Sequence, residues 1–185
     1  MVDIKKYICN EYNICIREAP PYSFDSTDNK CYDSIIVIEE KKFNKSIEIE
    51  VEQYGEIRTV LMVVPYYTPI DSFVAPHRDG LFMMLNDVLC VFSPDNASVT
   101  KQVRINPMGT MFEVHRLEND YILYGEMEIY RISQELIVKW FFSGKDIFVR
   151  YLGNEPAFLM KQDRICLYDF EDNYYEINFE GTLIS

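Results

Sequence analysis

Three sixteen-residue segments, beginning at Leu81, Tyr121 and Ala157, align without a gap. They read LFMMLNDVLCVFSPDN, YILYGEMEIYRISQEL and AFLMKQDRICLYDFED, at offsets of 40 and 36 residues. Three apolar columns open each segment. A polar pair follows, Asn86-Asp87, Glu126-Met127 or Gln162-Asp163, and then a second apolar stretch at a fixed distance. Two apolar stretches about a tight polar turn make a β-hairpin, and repetition at this period marks a chain built from stacked supersecondary units.

The rest of each period extends the hairpin. A third strand is expected at Ser98–Ile105, Leu136–Phe142 and Tyr174–Phe179, and a fourth at Met111–His115 and Ile147–Tyr151. Phe73 lies 39 residues before Phe112, as Phe148 lies 36 after it, so Asp71–Ala75 reads as the fourth strand of an earlier unit. The first three strands of that unit would be Ile35–Ile38, Ile47–Val51 and Ile57–Val64. The expected organisation is a single all-β domain over 1–185 with repeat units near 34–75, 81–115, 121–151 and 157–179. Alternation supports it: Ile47, Ile49 and Val51 interleave with Glu48, Glu50 and Glu52, and Tyr175, Ile177 and Phe179 with Tyr174, Glu176 and Asn178. Period two with one polar face is the mark of a half-buried antiparallel strand. Residues 1–10 read as a short helix, and Tyr12–Ile16 as a strand that completes the last unit. Trp140 alternates with Val138 and Phe142 and is expected in the core.

Repeated antiparallel four-stranded meanders of this length are the size of a propeller blade. The run Val138-Lys139-Trp140-Phe141-Phe142-Ser143-Gly144, following Ile129-Tyr130-Arg131-Ile132, resembles a repeat of the WD40-like and quinoprotein-like propeller families. Tyr174-Tyr175-Glu176-Ile177-Asn178-Phe179-Glu180-Gly181 resembles the end of another such blade. The resemblance covers roughly residues 80–185 and lacks the WD dipeptide and the GH pair. It implies a small β-propeller-like ring or an open arc of blades that serves as a scaffold for binding; a β-sandwich is the alternative architecture.

Charge bears on partners. The chain of 185 residues carries 30 Asp and Glu against 18 Lys and Arg, a formal net charge of −12. Its longest basic cluster is Lys41-Lys42, with Lys45 nearby. Nucleic-acid and anionic-membrane binding both draw on clustered cations, so neither is expected. A protein partner with a basic face is. The five cysteines, Cys9, Cys15, Cys31, Cys90 and Cys166, are odd in number and irregular in spacing. They are expected to be free thiols rather than a disulfide framework or a zinc site. The first residues lack the continuous apolar stretch of a signal peptide. The longest apolar runs fall far short of the roughly 20 residues that span a bilayer. The expected location is the cytoplasm, where the sequons at Asn44 and Asn96 carry no meaning.

No residue set reads as catalytic, no cofactor signature is present, and no metal site is expected. His77, Arg78 and Asp79 share one segment, and His77 reads as a surface-loop histidine before a turn. Asp169-Phe170-Glu171-Asp172-Asn173 mimics the start of a calcium loop. Its sixth position, which such a loop needs as glycine, is Tyr174, so it reads as a hairpin turn. Candidate partner contacts are therefore the acidic Asp169, Glu171 and Asp172, the Tyr66-Tyr67 pair between Pro65 and Pro69, and the His77-Arg78-Asp79 loop. The expected function is a non-enzymatic protein-binding module, such as an immunity-type inhibitor of a basic toxin. The alternative is an enzyme or small-ligand protein with its site around His77.

Overall fold

The computed structural model describes residues 4–39, 44–151 and 155–184. Lys41-Lys42 lies outside them, and so does Gly153-Asn154, which the sequence Gly153-Asn154-Glu155-Pro156 marks as a turn. Every regular element among the described residues is a β-strand, and the strands fall into two compact units, 1–104 and 105–185.

The first unit holds two sheets. Strands β1 (Lys5–Cys9), β2 (Tyr12–Glu18), β3 (Ser34–Val37), β4 (Asn44–Gln53) and β5 (Glu56–Pro65) form a five-stranded sheet in the order β1-β2-β4-β5-β3. Strands β6 (Val74–His77), β7 (Gly80–Leu85), β8 (Val88–Ser93) and β9 (Ser98–Arg104) form a four-stranded antiparallel meander. One core joins them: Ile14, Ile47, Ile49, Val60 and Met62 pack with Leu81, Met83, Leu85, Cys90 and Phe92, and all are fully buried or nearly so. Each such side chain contributes about 1.5–3 kcal/mol relative to exposure.

The second unit repeats the plan. Strands β10 (Met111–Leu117), β11 (Asp120–Gly125), β12 (Glu128–Ser133) and β13 (Val138–Ser143) make a meander; β14 (Phe158–Met160), β15 (Arg164–Tyr168) and β16 (Tyr174–Asn178) make a three-stranded sheet. Ile122, Tyr124, Ile129, Phe148, Ile165, Leu167 and Ile177 form its core.

Several strand expectations shift. Residues 5–9 form a strand paired with β2 rather than a helix, and the Tyr12–Ile16 segment lies in the first sheet, between β1 and β4. Met111–Leu117 opens a meander instead of closing the preceding one, and so does Val74–His77. Residues 147–151 form no strand, although the Phe148 amide donates to the Glu126 carbonyl and its ring is fully buried. Strand β3 does not precede β4 in a meander. It runs parallel to β5 on the far side, Ile35 facing Leu61 and Val37 facing Val63.

Turn chemistry explains where the strands reverse. Two-residue turns place Asn10, Tyr54, Asn86 and Glu118 at φ of 52°, 51°, 59° and 48°, the left-handed backbone that tight hairpins require. The longer turns repeat with the sequence. Ser133 Oγ accepts the amides of Glu135 and Ile137 at 3.2 and 3.3 Å. Thirty-six positions on, Asp169 Oδ1 accepts those of Glu171 and Asn173 at 3.1 and 2.9 Å. Leu136 and Asp172, at φ of 60° and 61°, complete the two turns. A short side-chain oxygen that satisfies turn amides is why Ser and Asp occupy this column.

Trp140 is half-buried against the second core. Its indole N–H donates to the Phe179 carbonyl at 2.9 Å. A bulge at residue 139 pairs Arg131 with Trp140 but Ile132 with Val138, so Val138 falls out of phase and is exposed. Gly181, at φ +83°, lies under the indole, where an added Cβ would sit 2.7 Å from ring carbons. Gly181→Ala is therefore expected to cost about 1–3 kcal/mol through crowding and backbone strain. A urea midpoint equal to that of the parent chain would contradict this packing.

Candidate functional site

Strand β5 ends at Pro65, and the turn that follows is closed by the Thr68 amide donating to the Pro65 carbonyl at 3.1 Å. Prolines on both sides keep this segment out of any sheet interior. Its two tyrosines stand outside the core: Tyr66 is 52% and Tyr67 68% exposed. The rings meet edge to face with centroids 5.7 Å apart, which fixes both. The Lys45 ammonium lies 5.7 Å from the centre of the Tyr66 ring.

Opposite them runs a strap, residues 19–33, that crosses the outer face of the first sheet. The Ala19 amide donates to the Ser46 carbonyl at 2.8 Å at one end. At the other, the Asp33 carboxylate accepts the Thr59 amide and hydroxyl at 2.6 and 2.9 Å. Between these points Tyr22 packs edge-on with Phe24 and Tyr32, at 5.4 and 6.5 Å. Strap, β4 and the Tyr66 turn enclose a groove of about 790 Å³, lined by Glu18, Tyr22, Phe24, Asp25, Lys45 and Tyr66 among others.

The strap is latched on a buried charge. Glu48 lies on the face of β4 that alternation makes polar, yet it is only 2% exposed. Its carboxylate takes hydrogen bonds from Arg17, from Lys30 at 2.8 Å and from the Tyr32 hydroxyl at 3.1 Å. Burial pushes this carboxyl upward, but the Lys30 and Arg17 bonds outweigh it and hold it below the usual carboxylate range. Burial and the Glu48 charge together push the Tyr32 phenol up to about 12. A buried carboxylate that has all its partners is a structural post.

His77 is not a surface-loop histidine. It is the last residue of β6 and 7% exposed, and its Nδ1 accepts the Asp79 amide at 3.0 Å. Arg78 and Asp79 are exposed beside it and pair at 3.3 Å. The ring thus holds a tight turn. Gly80 ends that turn at φ +145°, where an added Cβ would lie 2.1 Å from the Phe92 carbonyl oxygen.

The acidic segment divides. Asp169 is fully buried and accepts from Asn173 and from the Tyr175 hydroxyl at 2.7 Å. Burial raises its carboxyl, and the Tyr175 and Asn173 bonds overcome this and lower it below the ordinary value. It is therefore a turn residue and not a surface contact. Glu171 and Asp172 are exposed. Asp172 accepts Arg150 Nε at 2.9 Å, and Glu176 pairs with Arg164 at 3.0 Å. Residues 165–185 contain no Lys or Arg in sequence, yet they acquire two arginines in space.

The structure thus brings Tyr66 to a groove, with Tyr67 packed on its ring, places the His77 turn elsewhere in the same unit, and puts Glu171 and Asp172 in the other unit. Sequence reasoning did not reach Tyr22, Phe24 or Glu48. The available signal was Pro20-Pro21-Tyr22-Ser23-Phe24, where prolines and aromatics interrupt a polar stretch. Among the described residues, no three His, Cys, Asp or Glu side chains stand where they could hold a metal ion. The Cys90 thiol is pushed up to about 12 by burial, far from a nucleophile's range.

No family model and no curated protein matches the chain. Solved structures do. The AfRom2 CNH domain superposes at 10% identity and a TM-score of 0.50, over 99% of this chain and 53% of that one. BamB from Moraxella catarrhalis does so at 10% identity and a TM-score of 0.51, over 98% and 62%. The chain spans about half to three-fifths of these proteins' lengths. At such identity the likeness is one of fold: the chain is all-β and propeller-like.

Both depressed carboxyls link stability to pH with one sign. A carboxyl lower in the folded than in the unfolded chain stabilises fully above the ordinary value near 4, and this is lost as pH falls through the folded value. The urea midpoint should therefore drop as pH falls below about 4, and Asp169→Asn should flatten part of that drop. At neutral pH Asp169→Asn is expected to cost about 2–4 kcal/mol, as a buried, hydrogen-bonded charge is lost. A variant as stable as the parent chain at neutral pH, with the same drop in acid, would remove Asp169 from the turn's support.

Proposed function

We propose that the chain is a non-enzymatic protein-binding module of the cytoplasm whose partner presents a basic face. Inhibition of a basic toxin, in the manner of an immunity protein, is the specific form this role takes. Nucleic acid and membrane surfaces are not its targets. The observation that carries the reading is the Tyr66-Tyr67 pair. Two large rings are held edge to face in a proline-bounded turn, both more than half exposed, and one of them, Tyr66, lines a groove. Tyrosine held rigid outside the core supplies contact area at low entropic cost, the usual make-up of a binding anchor.

Electrostatics supports the sign of the partner. Several buried carboxylates are consumed by arginine, lysine, amides and hydroxyls, whereas Glu18, Asp25 and Glu171 are exposed and their carboxylates take no bond among the described residues. Open negative charge speeds encounter with a positive partner. Against the alternative of a site around His77 stands its buried ring, whose Nδ1 is already used by the Asp79 amide.

The test is capture by the tagged full chain at about 50 and 500 mM salt, a range across which exposed charges become screened. The expected outcome is one stoichiometric protein with a basic surface, retained at low salt, released at high salt and lost with Tyr66→Ala/Tyr67→Ala. A partner with an acidic surface, salt-insensitive retention, or co-purification of a small metabolite instead would overturn the reading.

A further inference from the structure

We infer that the groove between the strap and the start of β4 is the seat of an arginine side chain from the partner, with its flanking residues. The inference rests on the protein-binding role above and names the chemistry that this one site recognises.

The walls are aromatic. Tyr22, Phe24 and Tyr66 all line the groove, with Phe24 54% and Tyr66 52% exposed at its rim. Aromatic faces attract cations, and a guanidinium stacks on them better than an ammonium does. The attraction to a cation is present within the chain, where the Lys45 ammonium lies 5.7 Å from the centre of the Tyr66 ring.

The charges in the groove favour the same guest. Glu18 and Asp25 line it, and neither carboxylate has a hydrogen bond or ion pair among the described residues. Lys45 is engaged, with its ammonium on the Tyr66 ring and donating to the Thr68 carbonyl at 3.4 Å. Two open carboxylates beside one engaged ammonium attract a cationic guest and repel an acidic one. Arginine alone among side chains combines a stacking plane with a fork of donors for carboxylate oxygens.

Size and rigidity fit as well. A volume of about 790 Å³ is in the range that holds drug-sized ligands, so it takes the side chain together with neighbouring residues. The strap wall is pinned at Ala19 and Asp33 and latched through Lys30 and Tyr32 to Glu48. A wall already in place spares the ordering cost of binding.

The experiment is a titration of the full-length, nitrogen-15-labelled chain with three blocked peptides, one carrying two arginines among glycines, one with glutamates in their place, and one of glycine alone. The arginine peptide is expected to shift, saturably, amides within 18–25, 44–46 and 63–67, while the other two shift nothing. Tyr66→Ala should weaken it about fivefold, the scale of an exposed cation–π contact. Glu18→Gln/Asp25→Asn should weaken it to a similar extent, and Glu180→Gln, an exposed acid in the other unit, not at all. All these side chains are exposed, so the variants keep the core. Saturable shifts confined to other residues, or equal binding of the glutamate peptide, would overturn the assignment of the groove. The absence of shifts at millimolar peptide, with a salt-released basic partner still captured by the tagged chain, would sink this inference and leave the protein-binding role standing. Neither binding nor capture would sink both.

Discussion

The inner strands of both meanders are buried on both faces, and the rest of the fold follows from having to cover them. Every residue of β7, β8 and β11 is buried, and all of β12 except Arg131. A lone sheet of this kind would leave both faces in water, so it is stable only where each face meets another layer. In the first unit the five-stranded sheet supplies one such layer, placing Ile14, Ile47, Ile49, Val60 and Met62 against Leu81, Met83, Leu85 and Cys90. In the second, Ile165, Leu167 and Ile177 do the same for Ile122 and Ile129. Outer strands are released from this demand, and β9 is largely exposed.

The acidic excess is deployed in two ways, and separating them changes what the net charge means. Asp120 is 4% exposed and ties Arg131 and Lys139 at 2.6 and 2.7 Å. Glu128 is 5% exposed and takes the Met108 amide and the Tyr130 hydroxyl. Glu48 and Asp169 latch a strap and a turn. These four are structural posts, costly to strip of partners and invisible to a partner's field. Only the exposed carboxylates bear on recognition. A count of Asp and Glu along the chain therefore overstates the functional field of residues 165–185 and says nothing of Glu18 and Asp25.

The hairpins were legible because their information is local. Asn86-Asp87 between two apolar runs is enough to place β7 and β8, and the gapless period carries the same reading to β11, β12 and β15. The phase of the repeat was not legible. A periodic string of strands looks the same whether Met111–Leu117 closes one sheet or opens the next, and only the pairing with Asp120–Gly125 decides. The parallel placement of β3 beside β5 is a long-range choice that alternation does not encode. Of the candidate site, Tyr66 and Tyr67 were readable because two prolines exclude them from a sheet interior. Glu48 was not, because period two assigns it to the outer face and the strap that buries it arrives from residues 19–33. Asp169 escaped for the converse reason: its neighbours are exposed, but the turn it closes draws its carboxylate inside.

The strap links these observations to binding. It has no regular structure between Ala19 and Asp33, so its position comes from side chains rather than from a ladder. Ordering such a segment costs about 1–2 kcal/mol per residue in backbone entropy, and the folded chain offsets that cost through the Glu48 latch, the Asp33 clasp and the packing of Tyr22 and Tyr32 on Leu61 and Val63. Loops that carry recognition work best on a scaffold that has already fixed them. Here the scaffold is a sheet whose inner face belongs to the core and whose outer face, through one buried carboxylate, holds the wall of the groove in place.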